Sequence, residues 1–234
     1  MTWHRDEDGY HVFFNRDELK TRGRAEPPRE WDCRGIKYLA PRDVDGGGTW
    51  LLANERGVVL ALLNSWTPKP PAGGADRPSR GRLLTDHLAD CDSALAATER
   101  LRQLQVGEYP GFTLAAFDLS QVDEPLLTAF DGADLREANE IMPVCSSSFR
   151  PEDVTTRRKA SLREIESMTA ESLWRWHTNE NAPSAYTVRM NRPDAQTWSI
   201  SRVTVRRGKI AWLYQEEPPD LAGPVRQWHA ELPV

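Results

Sequence analysis

The run Val58-Val59-Leu60-Ala61-Leu62-Leu63 is apolar at every position. Alternation of apolar and polar residues marks a strand with one wet face, whereas a short unbroken apolar run suits a strand covered on both faces. The turn Glu55-Arg56-Gly57 precedes the run, and residues 49–54 precede that turn, so residues 58–64 form the second arm of a β-hairpin. A sheet with such a strand needs a packed layer on each side.

The rest of the chain supplies candidates for those layers. Residues 2–5 and 10–14 pair around Asp8-Gly9, which has hairpin turn chemistry. Residues 19–45 are rich in Arg, Pro, Asp and Gly and read as a long irregular connection. Residues 67–78 hold four prolines and two glycines and read as a surface loop. Ser79 caps an expected helix with Leu83, Leu84 and Leu88 on one side; Asp92 caps another with Leu95, Leu101 and Leu104 inward. Strands are expected at 112–119 and 126–130. Pro151 opens a helix to about residue 165, and a further helix runs from Thr169 or Ala170 through His177, with Leu173, Trp174 and His177 on one face. Strands return at 185–190, 197–205 and 209–214, the last two joined by Arg207-Gly208. Strands, then helices, then strands, without strict β-α-β alternation, predict a layered α+β domain with two sheets between helices.

Bulk properties exclude several classes. A net charge of −5 without a basic stripe argues against a general nucleic-acid binder. The longest basic run, Arg157-Arg158-Lys159, reads as a solvated helix face. Cys33, Cys91 and Cys145 are too widely spaced for a disulfide framework or a zinc site, which suits a reduced, cytoplasmic setting. The five histidines show no metal-ligand spacing, and no metal is expected. No apolar run approaches the roughly 18 residues of a membrane span, and the charged start from His4 onward is no signal peptide. Nine tryptophans are many for 234 residues and are expected as core or rim anchors, or as the lining of an apolar pocket.

Five short stretches carry candidate chemistry. Asn15-Arg16-Asp17-Glu18 follows the apolar pair Phe13-Phe14 and is either a solvated strand exit or a ligand site built on charge-assisted hydrogen bonds. Gly46-Gly47-Gly48-Thr49-Trp50 allows a flexible turn or a close approach by another group, and it lacks the lysine of a phosphate-binding loop. Asn64, at the end of the apolar strand, serves as an oxyanion donor or a strand-end cap. Cys145-Ser146-Ser147-Ser148 has no nucleophile-elbow glycines and reads as capping before Pro151. Asn191-Arg192-Pro193-Asp194 is turn chemistry.

Taken in order, "FFNRDE", "GGGTW", "ANERGVVLALLN", "SRGRL", "SSSF" and "RPDAQT" resemble the NRDE family, the relatives of transport and Golgi organisation protein 2. The likeness runs from about residue 3 to 205, so residues 1–234 are expected to form one domain. The family is similar to N-terminal nucleophile hydrolases, which implies a four-layer αββα sandwich of two antiparallel sheets. In that superfamily the first residue of the mature chain is the nucleophile, and its α-amine is the base. The resemblance makes Thr2 the candidate nucleophile once Met1 is removed. Asp17 would hold the amine, Arg16 would tune the nucleophile by charge, and Asn64 would donate to an oxyanion. Asn15, Glu18, Trp50, Asn191 and Arg192 are implied ligand contacts.

Family members place Met-Cys-Thr-Val before a Thr-Trp pair, whereas this chain reads Met1-Thr2-Trp3. Either Met1 stands for the family's Val, through a GTG codon read as the start, or Thr2 is the residue exposed. In the second case it sits three positions, about 10 Å, along the strand from the expected nucleophile. The family's link to intracellular haem handling implies binding or trafficking of a hydrophobic cofactor such as haem, without a competent nucleophile and with no cofactor required. A C–N amidohydrolase, if a Cys precedes Thr2, and a non-catalytic scaffold are the alternatives. The sequence carries no Cys-x-x-Cys-His haem motif.

Overall fold

The apolar run at 58–63 is shared between two cores. Val59, Ala61 and Leu63 face a core between two sheets, while Val58, Leu60 and Leu62 face a second core beneath helices. The computed structural model describes residues 1–66, 77–120, 124–179 and 181–234. Its twelve strands are β1 (Thr2–Asp6), β2 (Gly9–Leu19), β3 (Glu26–Cys33), β4 (Ile36–Arg42), β5 (Leu51–Asn54), β6 (Val59–Asn64), β7 (Phe112–Phe117), β8 (Leu126–Phe130), β9 (Leu135–Glu137), β10 (Ala195–Arg206), β11 (Lys209–Glu216) and β12 (Arg226–Pro233). One antiparallel sheet has the order β1-β2-β10-β11-β12; the other runs β3 to β9 in chain order.

The inter-sheet core joins Val12, Val203, Ile210 and Trp212 of the first sheet to Leu51, Val59, Ala61 and Ala115 of the second. Helix α1 (Ala94–Gln103) and a π-helical turn at Leu83–Leu88 cover the outer face of the seven-stranded sheet through Leu83, Leu88, Ala97 and Leu101. Helices α2 (Pro151–Arg163) and α3 (Ala170–Thr178) cover the five-stranded sheet, with Leu162 and Leu173 packed on Phe13. The result is the expected four-layer αββα sandwich. Among the described residues, no helix is long and apolar enough to cross a membrane.

Several local expectations are corrected. Residues 26–42 form the β3–β4 hairpin, not an irregular connection. Its two-residue turn, Arg34-Gly35, has positive φ at both positions (53° and 80°), as primed hairpin turns require. The strand pattern is hidden because β3 is largely exposed and its apolar Trp31 is held between the guanidinium groups of Arg29 and Arg42. Residues 185–190 form turns rather than a strand, and β9 and β12 were not anticipated. The helix expected after Ser79 is the π-helical turn, preceded by Arg82 without a side-chain cap. The Ser146–Ser148 hydroxyls do not cap α2: Arg150 occupies the cap position in a left-handed conformation. Most of the loop expected at 67–78 lies outside the described residues.

Ser93, not Asp92, caps α1: its Oγ accepts from the Ala96 amide at 3.1 Å, and this leaves Leu95 exposed. Ser93→Ala is expected to lower stability by about 1 kcal/mol, read from the denaturant midpoint. An unchanged midpoint would show that the cap contributes nothing.

Candidate functional site

Period two divides the polar end of β2. Asn15 and Asp17 share the face of Phe13 and meet the helical layer; Arg16 and Glu18 share the face of Phe14 and enter the space between the sheets. Asn15 Oδ1 lies 2.5 Å from His177 Nδ1, and Asn15 Nδ2 donates to the carbonyls of His177 and Val188 at 3.2 and 3.0 Å. Because Oδ1 can only accept, His177 Nδ1 is the protonated nitrogen. Nε2 then accepts from the Thr2 hydroxyl at 2.8 Å. His177 is completely buried and neutral: burial holds its pKa well below the ordinary imidazole value, and the N-terminal ammonium and Arg158 reinforce the shift.

Asp17 Oδ2 accepts from Arg158 of α2 at 3.1 Å, and its Oδ1 accepts from Thr197 at 2.6 Å. Thr197 borders a bulge in the pairing of β2 with β10, and its Oγ1 also accepts from the Met190 amide. Arg158 is buried, so the basic run 157–159 is not simply a solvated face. Val154, Arg158 and Leu162 form the buried stripe of α2 at four-residue spacing, and that periodicity was the sequence signal for Arg158.

The Met1 α-amine donates to the Val144 carbonyl at 2.9 Å, and the Val144 amide donates back to the Met1 carbonyl at 3.0 Å. Asp17 therefore makes its hydrogen bonds elsewhere and does not hold the amine directly. Burial lowers the amine pKa from 8.0 to about 6. The Met1–Val144 pairing also carries Cys145 to the wall of a cavity of about 740 Å³.

Met1, Asn15, Arg16, Asp17, Glu18, Trp50, Asn64 and Arg192 line that cavity. Thr2 and Asn191 do not. Thr2 is fully buried with its hydroxyl committed to His177, and Asn191 Nδ2 donates to the Asp220 carbonyl at 3.2 Å. His177, Arg158, Cys145, Trp66 and Trp176 complete the assembly; sequence reasoning had not placed them in a site. Three tryptophans line the wall; of the others, Trp3 and Trp212 lie in the inter-sheet core. Among the described residues, the wall contains seven arginines and four carboxylates, in a chain whose net charge is −5.

The glycine run lets the chain approach itself. A Cβ on Gly48 would meet the Gly81 and Arg82 backbone at 2.3–2.7 Å, and this contact brings the 77–82 segment beside Trp50 at the cavity wall. Among the described residues, no group of three His, Cys, Asp or Glu side chains could hold a metal ion.

The described arrangement has solved counterparts. Penicillin V acylase from Agrobacterium tumefaciens superposes with a TM-score of 0.58 at 12% identity, covering 97% of this chain and 84% of that one. A Caenorhabditis elegans ortholog of N-acylethanolamine-hydrolyzing acid amidase superposes with a TM-score of 0.55 at 9% identity, covering 83% and 87%. These likenesses establish the N-terminal nucleophile hydrolase fold. Comparison with curated protein sequences finds no match. The family model described as transport and Golgi organisation 2 matches residues 2–209, nearly the whole sandwich, and the chain belongs to that family.

Proposed function

We propose that this protein binds a hydrophobic small molecule in the cavity at the end of β2, with haem as the first ligand to test. The observation that carries this reading is the cavity itself. The cavity, at about 740 Å³, has the volume of a small-molecule site and three tryptophans in its wall. The Thr2 hydroxyl is buried away from it and held by a neutral histidine.

The residues present fit haem in kind. The indoles of Trp50, Trp66 and Trp176 supply apolar surface for a flat macrocycle. Cys145 and Met190, both on the wall, are soft donors of the type that holds haem iron. When bound, haem would supply its own iron chemistry, and the protein would bind and shield it.

Titration with ferric haem is expected to saturate at one equivalent with a Soret band distinct from that of free haem. Cys145→Ala and Met190→Ala should each be scanned for a change in that band. A spectrum indistinguishable from haem in buffer at all ratios would overturn the haem reading.

A further inference from the structure

Several buried donors of wall residues lack acceptors among the described residues, and those of Arg16 and Trp50 stand together. Arg16 is 6% exposed and Trp50 is 9% exposed, and both line the cavity. Arg16 Nη2 and Trp50 Nε1 make no hydrogen bond. The Arg16 guanidinium lies over the Trp50 ring at 4.6 Å, so the two donors belong to one stacked unit. The nearest carboxylates do not satisfy Arg16. Those of Glu18 and Asp43 stand 4.0 and 3.9 Å from Nη2, beyond hydrogen-bond reach. Asp43 instead accepts from Arg22 at 2.6 Å, and Glu18 accepts from the Leu19 amide at 2.9 Å. Arg80, on the same wall, donates to the Gly111 carbonyl and makes no ion pair among the described residues.

Native proteins seldom leave buried donors unsatisfied, and such exceptions mark positions a missing partner would fill. An acceptor here should be anionic, because it would meet the Arg16 guanidinium with Arg80 on the same wall. A carboxylate suits it best, because two oxygens match the fork of a guanidinium. It should belong to an otherwise apolar molecule, because Phe14, Leu62, Leu63, Trp66 and Met190 share the wall. We infer that Arg16 and Trp50 form a carboxylate subsite, which orients an apolar ligand by its acid group with Arg80 adding long-range attraction. This deepens the binding reading above and assigns Arg16 a role in holding ligand rather than in tuning a nucleophile.

The test compares ligands that differ only in the acid group. Haem and its dimethyl ester are titrated into the full chain and into Arg16→Gln. The expected result is at least about 10-fold tighter binding of haem than of the ester, with that ratio falling towards 1 in Arg16→Gln. Equal binding of both forms by the unaltered protein would overturn the carboxylate subsite and leave the haem reading standing. If neither form binds, the haem reading falls, and 1-pyrenebutyrate against its methyl ester decides the subsite by fluorescence. A preference of about 10-fold for the acid, lost in Arg16→Gln, sustains it; equal or undetectable binding of that pair overturns it. Should Arg16→Gln fail to fold, Trp50→Phe keeps an aromatic ring, removes the indole N–H and should lower the acid-to-ester ratio several-fold. An unchanged ratio in that variant would overturn the assignment.

Discussion

Arg189→Met is expected to destabilise the protein by about 3–5 kcal/mol, measured by urea or guanidinium unfolding. Arg189 donates through Nε and Nη2 to one oxygen of Glu217, at 3.0 and 2.6 Å, and Gln215 donates to the other at 2.8 Å. Glu217 has no exposed surface. Removing the guanidinium leaves a carboxylate in a low-dielectric site with a single neutral donor, which costs far more than the pair contributes when intact. The partner deletion is diagnostic. Arg189→Met with Glu217→Leu replaces both charges by apolar volume and should recover most of the loss. A single variant that loses less than about 1 kcal/mol, or a double variant no better than the single, would show that the pair is not the organising contact. Because Val188 accepts from Asn15 and Met190 lines the cavity, the single variant should also loosen the cavity wall.

Stability should fall as pH drops from 8 towards 5. His177 is held neutral in the fold, with its pKa well below the ordinary 6.5. The unfolded chain takes up that proton near 6.5 and the folded chain does not, so the contribution is complete above 6.5 and is lost as pH falls below it. The Met1 amine acts in the same direction at higher pH. Its pKa drops from 8.0 to about 6 on folding, so its contribution is full above 8 and fades towards 6, on the order of 2–3 kcal/mol. Denaturant midpoints across pH 5 to 9 should therefore climb with pH. His177→Gln should make the segment below 6.5 shallower, with His11, whose pKa burial also lowers, supplying part of what remains, and should leave the segment between 6 and 8. A midpoint flat from pH 8 to 5.5 would mean that neither group is buried in its uncharged form.

The sandwich was legible because its main evidence is periodic: an unbroken apolar strand, alternating hairpins and helical stripes record which faces are covered. The β3–β4 hairpin was not, because an exposed strand whose one large apolar residue is packed between arginines has no alternation to detect. The candidate site was half legible. Asn15, Arg16, Asp17 and Glu18 do reach the cavity, but the distant partners of Arg16 and Asp17 lie 27 to 180 positions away, and no local pattern ties Asp17 to Arg158 or Thr197. The role of His177 depends on Asn15 and Thr2 from two other strands, so its place on one face of α3 revealed its burial and not its bonding.

The two sheets also differ in how far the chain must reach to close them. The seven-stranded sheet follows chain order, so each new strand pairs with the one just made. In the five-stranded sheet, β2 pairs with β10, and Phe13 lies opposite Arg202 across most of the chain. Contacts between distant parts of a chain carry a large loop-closure cost and form slowly. On a ribosome, the meander is complete while the first hairpin still waits for its partner. The cavity, whose wall joins both sheets, cannot be complete before β10 has paired with β2.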